Sequence, residues 1–97
     1  MSVRLVITFQ AKHGKGSELA KEFGSYCKKA QQEPGCEQFE VFQSAIDQDK
    51  IVLLERWADQ AALDVHAELN RSQPPRISRE FMEGRGERED YDYNRTR

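Results

Sequence analysis

Hydrophobic residues alternate along the first ten positions, with Val3, Leu5, Ile7 and Phe9 on one side of an extended chain and Val6 and Thr8 on the other. A period of two predicts a strand from Val3 to Gln10 with apolar residues on both faces. Gly14 and Gly16 break it, and Ser17 stands where a helix N-cap is expected. The period then changes. Leu19, Phe23, Tyr26, Cys27 and Ala30 fall on one stripe of a helix, while Glu18, Lys21, Glu22, Lys28 and Lys29 cover its solvent side. Pro34-Gly35 ends the helix, because proline disfavours helical geometry in the residue before it and glycine permits a sharp turn. Alternation returns from Glu37 to Ser44, with Phe39 and Val41 on one face and Glu40 and Phe42 on the other. The polar turn Asp47-Gln48-Asp49 sends Ile51 to Trp57 back beside it as a hairpin.

Asp59 reads as the N-cap of a second helix whose apolar stripe is Ala61, Ala62, Val65, His66 and Leu69. Asn70 to Pro75 reads as a loop, and Pro75 as the first residue of a short helix with Ile77 and Phe81 on a shared face, ended by Gly84 and Gly86. Residues 85–97 are heavily charged. Within them Glu87 to Arg95 sets Tyr91 and Tyr93 opposite Asp90 and Asp92, which fits a charged edge strand or a partly frayed tail.

The order is βαββαβ, the ferredoxin-like α+β fold, with a four-stranded antiparallel sheet in a single domain spanning residues 1–97. Two helices would cover one face of that sheet. The other face should then be polar, yet the strands carry apolar residues on both sides, which predicts a face-to-face homodimer. A chain of 97 residues has a modest core, and an interface would add to its burial.

Composition narrows the class. Hydrophobic residues make up 37% and charged residues 33%, which suits a folded domain with a charged surface. The net charge of −2 gives no basic footprint for nucleic acid or an anionic membrane. The longest apolar run, Ile51 to Leu54, is far too short to span a bilayer. Met1 to Gln10 lacks the apolar core and cleavage site of a signal peptide, so a cytoplasmic location is expected. Cys27 and Cys36 form no CxxC motif and are expected to be reduced thiols, with a disulfide between them as the alternative.

No phosphate-binding loop, dinucleotide fingerprint, GxSxG elbow or metal-spaced cluster occurs, so no cofactor and no metal are assigned. His13, in a glycine-rich turn with lysines nearby, reads as solvated. His66 differs, because it stands in an apolar stripe and should face the sheet. It is either a core histidine bonded to a backbone carbonyl or a pocket group suited to proton transfer near neutrality. Trp57 is either core packing or an indole donor to a substrate oxygen. Glu55 shares its strand face and either pairs with Arg56 or Arg76 at the surface or accepts from His66 or Trp57.

The pattern E-x-W-x-D-x-x-x-L-x-x-H from Glu55 to His66 resembles the signature of antibiotic biosynthesis monooxygenase domains. Glu33-Pro34-Gly35-Cys36, followed by Phe39 and Val41, is similar to that family's turn into its second strand, and Ala11 to Gly14 to its first turn. The resemblance covers about residues 3 to 70. It implies a dimeric α/β barrel with a pocket between helices and sheet, in which a small phenol or quinol reacts with molecular oxygen without metal or flavin. Such a reaction needs a dry pocket and a group to take a phenolic proton, for which Phe9, Phe39, Trp57 and Phe81 are the candidate apolar walls, His66 the candidate catalytic group, and Trp57 and Glu55 the candidate substrate-binding residues. Haem degradation is disfavoured, since relatives with that activity use an asparagine in the first strand and the asparagines here are Asn70 and Asn94. Two other functions fit the same scaffold. One is an isomerase of a small metabolite, for which Arg56, Arg71 and Arg76 are the candidate phosphate-binding cations; the other is a non-catalytic small-molecule-binding or stress-response dimer.

Overall fold

In the computed structural model, which describes residues 1–73, 77 and 79–94, the opening alternation becomes strand β1 (Val3–Gln10). It is followed by α1 (Gly16–Ala30), β2 (Cys36–Gln43), β3 (Lys50–Trp57), α2 (Gln60–Ser72), a 3-10 turn at Arg79–Phe81 and β4 (Glu87–Asp92). The strands form an antiparallel sheet in the order β2-β3-β1-β4, so the βαββαβ arrangement is the observed one.

Register decides what lies beneath the helices, since residues paired across strands share a face. One row runs Phe39, Glu55, Leu5 and Asp90; the next runs Val41, Leu53, Ile7 and Arg88. Leu19, Phe23, Cys27 and Ala30 of α1 and Leu63 of α2 pack onto this face with Trp57 and Ile51. Each fully buried large side chain among them contributes roughly 1.5–3 kcal/mol. The outer face carries the rows Glu40, Leu54, Val6, Glu89 and Phe42, Val52, Thr8, Glu87. Val6, Val52 and Leu54 are half-buried there and Phe42 is 48% exposed, giving an apolar strip between acidic edges. At its end the Tyr93 ring takes the guanidinium groups of Arg4 and Arg56 at 5.1 and 4.7 Å.

Several expectations need correction. Helix α1 begins at Gly16, so Ser17 lies inside its first turn, and the cap position is held by Lys15 with no side-chain bond. Asp49 does the capping from the β2–β3 turn, accepting from the amides of Gly14 and Gly16 at 3.0 Å each. Those amide bonds hold its carboxyl below the ordinary value. Gly16 cannot be replaced there without movement, since a Cβ would sit 1.7 Å from the Gln48 carbonyl oxygen.

Helix α2 is capped by Asp59 as expected, with its carboxylate accepting from the Ala62 amide at 2.8 Å. The buried face of α2 is rotated from the expected stripe. Leu63 and His66 are buried, whereas Val65 and Leu69 are exposed. The helix also runs on to Ser72, through residues expected to be a loop, because apolar periodicity stops before the backbone ladder does. Pro75, the expected start of the short helix, and Arg95, the expected end of β4, lie outside the described residues. Cys27 and Cys36 are free thiols, and burial pushes both up to about 11. Among the described residues no helix is long and apolar enough to cross a membrane.

Candidate functional site

The two motif segments, one around Glu33 to Cys36 and the other from Glu55 to His66, meet in space at Gly35. This glycine has φ +80°, and a Cβ there would lie 2.5 Å from that of Ala62. Its carbonyl accepts from the Ala58 amide at 2.8 Å. Glycine therefore serves twice, permitting the left-handed turn and the close approach to α2. His66 stands one helical turn beyond Ala62 on the same side, which brings Glu33 within reach of it. Glu33 Oε1 lies 2.8 Å from His66 Nδ1, with 16% of the Glu33 side chain and 5% of the His66 side chain exposed.

The other imidazole nitrogen faces different partners. Nε2 lies 3.2 Å from the Tyr26 hydroxyl and 3.1 Å from Asn70 Nδ2, which also donates to Tyr26 at 2.8 Å. A carboxylate accepts and cannot donate, so in the neutral ring Nδ1 carries the hydrogen and Nε2 the lone pair. Ring packing fixes the imidazole plane: the Trp57 ring centre is 4.6 Å away and that of Phe39 5.4 Å. His66 is thus not a core histidine closed off by backbone carbonyls, because the partners of both nitrogens are side chains.

Glu55 lies under the helices with 3% exposure, and the fully buried Trp57 donates its indole N–H to Glu55 Oε1 at 2.9 Å. Burial pushes the Glu55 carboxyl above its ordinary value, an effect opposed by the indole bond and by nearby His66. The surface pairing considered for Glu55 does not form with Arg56, which lies on the outer face and pairs with Glu37 at 3.1 Å. Arg71 pairs with Glu68, and Arg76 lies outside the described residues. Neither Arg56 nor Arg71 lines the cavity beside His66.

That cavity measures about 220 Å³. Leu5, Ile7, Phe9, Phe23, Leu53 and Leu63 give it an apolar floor, and Tyr26, Glu55, His66, Asn70 and Arg88 supply its polar edge. A few convergent polar groups over an apolar surface is the usual character of a small-molecule site, although this one is below the roughly 300–1,000 Å³ typical of drug-sized ligands. A larger groove of about 410 Å³ runs between Pro34 and Val65, but its one ionisable side chain, Asp59, is engaged as a helix cap. Among the described residues no group of three or more His, Cys, Asp or Glu side chains is arranged to hold a metal.

Of the residues singled out in the sequence, Phe9, Glu55 and His66 line the cavity together. Phe39 and Trp57 stand behind it, packed edge-on against each other at 6.2 Å and supporting the imidazole. Phe81 lies apart, its carbonyl accepting from the Lys12 amide and its ring 6.0 Å from the Lys15 ammonium. Sequence reasoning assigned no site role to Glu33, Tyr26, Asn70 or Arg88. Asn70 was within its reach, being four residues beyond His66 on the same helix. Tyr26 was legible only as core stripe, and Arg88 only as one charge among many.

A family model for antibiotic biosynthesis monooxygenases matches residues 2–73. No significant match occurs among curated protein sequences. Solved structures similar to this one include PA3566 from Pseudomonas aeruginosa, with 21% identity, TM-score 0.78 and coverage of 97% of this chain and 95% of that one. Rv0793 from Mycobacterium tuberculosis has 23% identity, TM-score 0.78 and coverage of 98% and 97%. A protein described as an antibiotic biosynthesis monooxygenase has 21% identity, TM-score 0.74 and coverage of 96% and 99%. With the family model spanning most of the chain and the fold matching throughout, the chain belongs to the antibiotic biosynthesis monooxygenase family.

Proposed function

We propose that the protein is a cofactor-independent monooxygenase that oxidises a small phenol or quinol with molecular oxygen. The observation that carries this reading is His66, whose Nε2 lone pair stands at the polar edge of a cavity with an apolar floor. A phenol bound there displaces the hydrogen bond that Tyr26 or Asn70 makes to Nε2 and gives its own proton to that nitrogen. The resulting ring anion passes electrons to oxygen, and one oxygen atom bonds to a ring carbon as a peroxide. The distal oxygen then leaves as water, taking the hydrogen of that carbon and the proton held by His66, and a quinone carbonyl remains. Phenol and oxygen thus become quinone and water, with every atom accounted for. The apolar floor, Phe9 included, keeps water from the peroxide. Glu55, whose Oε1 takes the Trp57 indole N–H, accepts from a second substrate hydroxyl through its other carboxyl oxygen, while Phe39 and Trp57 hold the imidazole in place. A cavity of about 220 Å³ suits one ring with short substituents.

The protein works as a homodimer in this proposal, with Val6, Val52, Leu54 and Phe42 covered by a second copy. Two free thiols accord with a reducing compartment, the cytoplasm. Oxygen uptake over a panel of one-ring hydroquinones, compared between the wild type and His66→Ala, tests the chemistry. Uptake by the wild type that is lost in the variant is expected; equal rates in both would remove His66 from the mechanism, and binding without uptake would favour sequestration. Sedimentation of the wild type and Val52→Glu tests the dimer, a compact wild-type monomer at micromolar concentration being the adverse result.

A further inference from the structure

We propose that Glu33 is the positioning residue of this site: it holds His66 as the Nδ1–H tautomer and so keeps Nε2 the basic nitrogen, its lone pair facing Tyr26 and Asn70 at the cavity edge. The inference rests on the proton-accepting role given to His66 above.

Neutral imidazole has two tautomers, and which nitrogen keeps the hydrogen is set by what the other atoms of the site can accept. Glu33 Oε1 is 2.8 Å from Nδ1, in a contact where the His66 side chain is almost wholly buried. At Nε2 both neighbours bring hydrogens of their own, the Asn70 amide and the Tyr26 hydroxyl. The acceptor on one side and the donors on the other favour the same tautomer. The other carboxyl of the site is occupied elsewhere, since Glu55 Oε1 takes the indole N–H of Trp57. Glu33 is also held from outside the cavity. Its backbone amide bonds the Ala30 carbonyl at 3.0 Å, and the turn that carries it is docked on α2 through Gly35 and Ala62. Such a group, fixed by backbone and absent from the cavity lining, orients a base without touching substrate.

The test uses Glu33→Ala, which removes the acceptor, and Glu33→Gln, whose amide oxygen can still receive Nδ1–H. Nitrogen NMR of the imidazole should show the wild-type ring protonated on Nδ1. A mixture of tautomers is expected in Glu33→Ala and a return toward Nδ1–H in Glu33→Gln. With an active hydroquinone, Glu33→Ala should lose roughly tenfold to a hundredfold in kcat with little change in KM, and Glu33→Gln should recover much of it. 4-Nitrophenol supplies an arm independent of turnover, because its yellow anion reports whether the bound phenol has given up its proton. In mildly acidic buffer, where free 4-nitrophenol is colourless, the wild type should generate the anion on binding and Glu33→Ala should generate much less of it. A wild-type ring protonated on Nε2 overturns the proposal, as does an unchanged tautomer in Glu33→Ala. Absence of oxygen uptake in the wild type, with the tautomer and nitrophenol results as expected, would refute the oxygenase reading and leave the role of Glu33 standing. If Glu33→Ala fails to fold, the wild-type tautomer and the glutamine variant decide the matter.

Discussion

Trp57→Phe separates the packing of the indole from its hydrogen bond. Trp57 is fully buried, touches the Phe39 and His66 rings, and donates to Glu55 at 2.9 Å. Phenylalanine keeps a six-membered ring but lacks three heavy atoms and the N–H. In a packed interior the missing atoms cost about 1–2 kcal/mol. Leaving the buried Glu55 carboxyl without that donor costs a further 1–3 kcal/mol or so. The sum is a large share of the roughly 5–15 kcal/mol that stabilises an ordinary domain. The two parts differ in their response to pH. Because the folded pKa of Glu55 is raised by burial, the folded state holds that proton more tightly than the unfolded chain does. The stability this contributes is fully present below the unfolded value and is lost as pH rises through the folded one. Removing the indole, which lowers that pKa, moves the folded value further up. The deficit of Trp57→Phe should therefore be greatest at neutral pH and shrink in acid toward the packing cost plus the smaller loss of an indole bond to a neutral carboxyl. Urea denaturation from about pH 4 to pH 8, at fixed protein concentration, measures this. In a Glu55→Gln background the pH-dependent part should vanish. A deficit that is constant across pH and unchanged by Glu55→Gln would refute the reasoning.

Other consequences can be measured with the same methods. Asp59→Ala removes the α2 cap bond to Ala62 and should cost about 1 kcal/mol in thermal or urea denaturation. Gly35→Ala forces a side chain into the left-handed region and against Ala62, so it should destabilise by at least 1 kcal/mol or so and disturb the His66 tautomer through Glu33. Both thiols, pushed up to about 11, should resist iodoacetamide in the native protein at neutral pH. Half-buried Cys36 should react first as the solution becomes strongly alkaline, and rapid native labelling of Cys27 would contradict its burial.

The sheet was legible because alternation is a local property: Val3 to Phe9 and Ile51 to Trp57 state their faces without outside help. Asp59 was legible for the same reason, since a cap bonds only three residues ahead. Ser17 misled because the donors at the start of α1 are met by Asp49, more than thirty residues away, which no local pattern announces. The rotation of α2 was hidden likewise. Its valine and leucine favoured one stripe, but the Gly35 contact at Ala62 and the side-chain bonds of His66 fix another. The place of His66 beside the cavity was legible because an ionisable residue at helical spacing among apolar ones is conspicuous. Glu33 was not, because its partner lies 33 residues on and the turn that joins them depends on a missing Cβ.

One register unites the two faces of the sheet. Pairing Leu5 with Glu55 sets the carboxyl beside the apolar floor of the cavity, and the same alternation turns Val52 and Leu54 outward. A slip of one residue would exchange them, sending Glu55 to the surface and Arg56 beneath the helices. Either register would bury an ionisable group, and the observed one buries a carboxyl at a cost in desolvation, since an apolar side chain of similar size would fill that position more favourably. What the fold gains is a carboxyl and an imidazole on the edge of one cavity, each with a fixed partner behind it: Trp57 behind Glu55, and Glu33 behind His66. Removing either partner should thus affect proton handling before it affects the shape of the cavity.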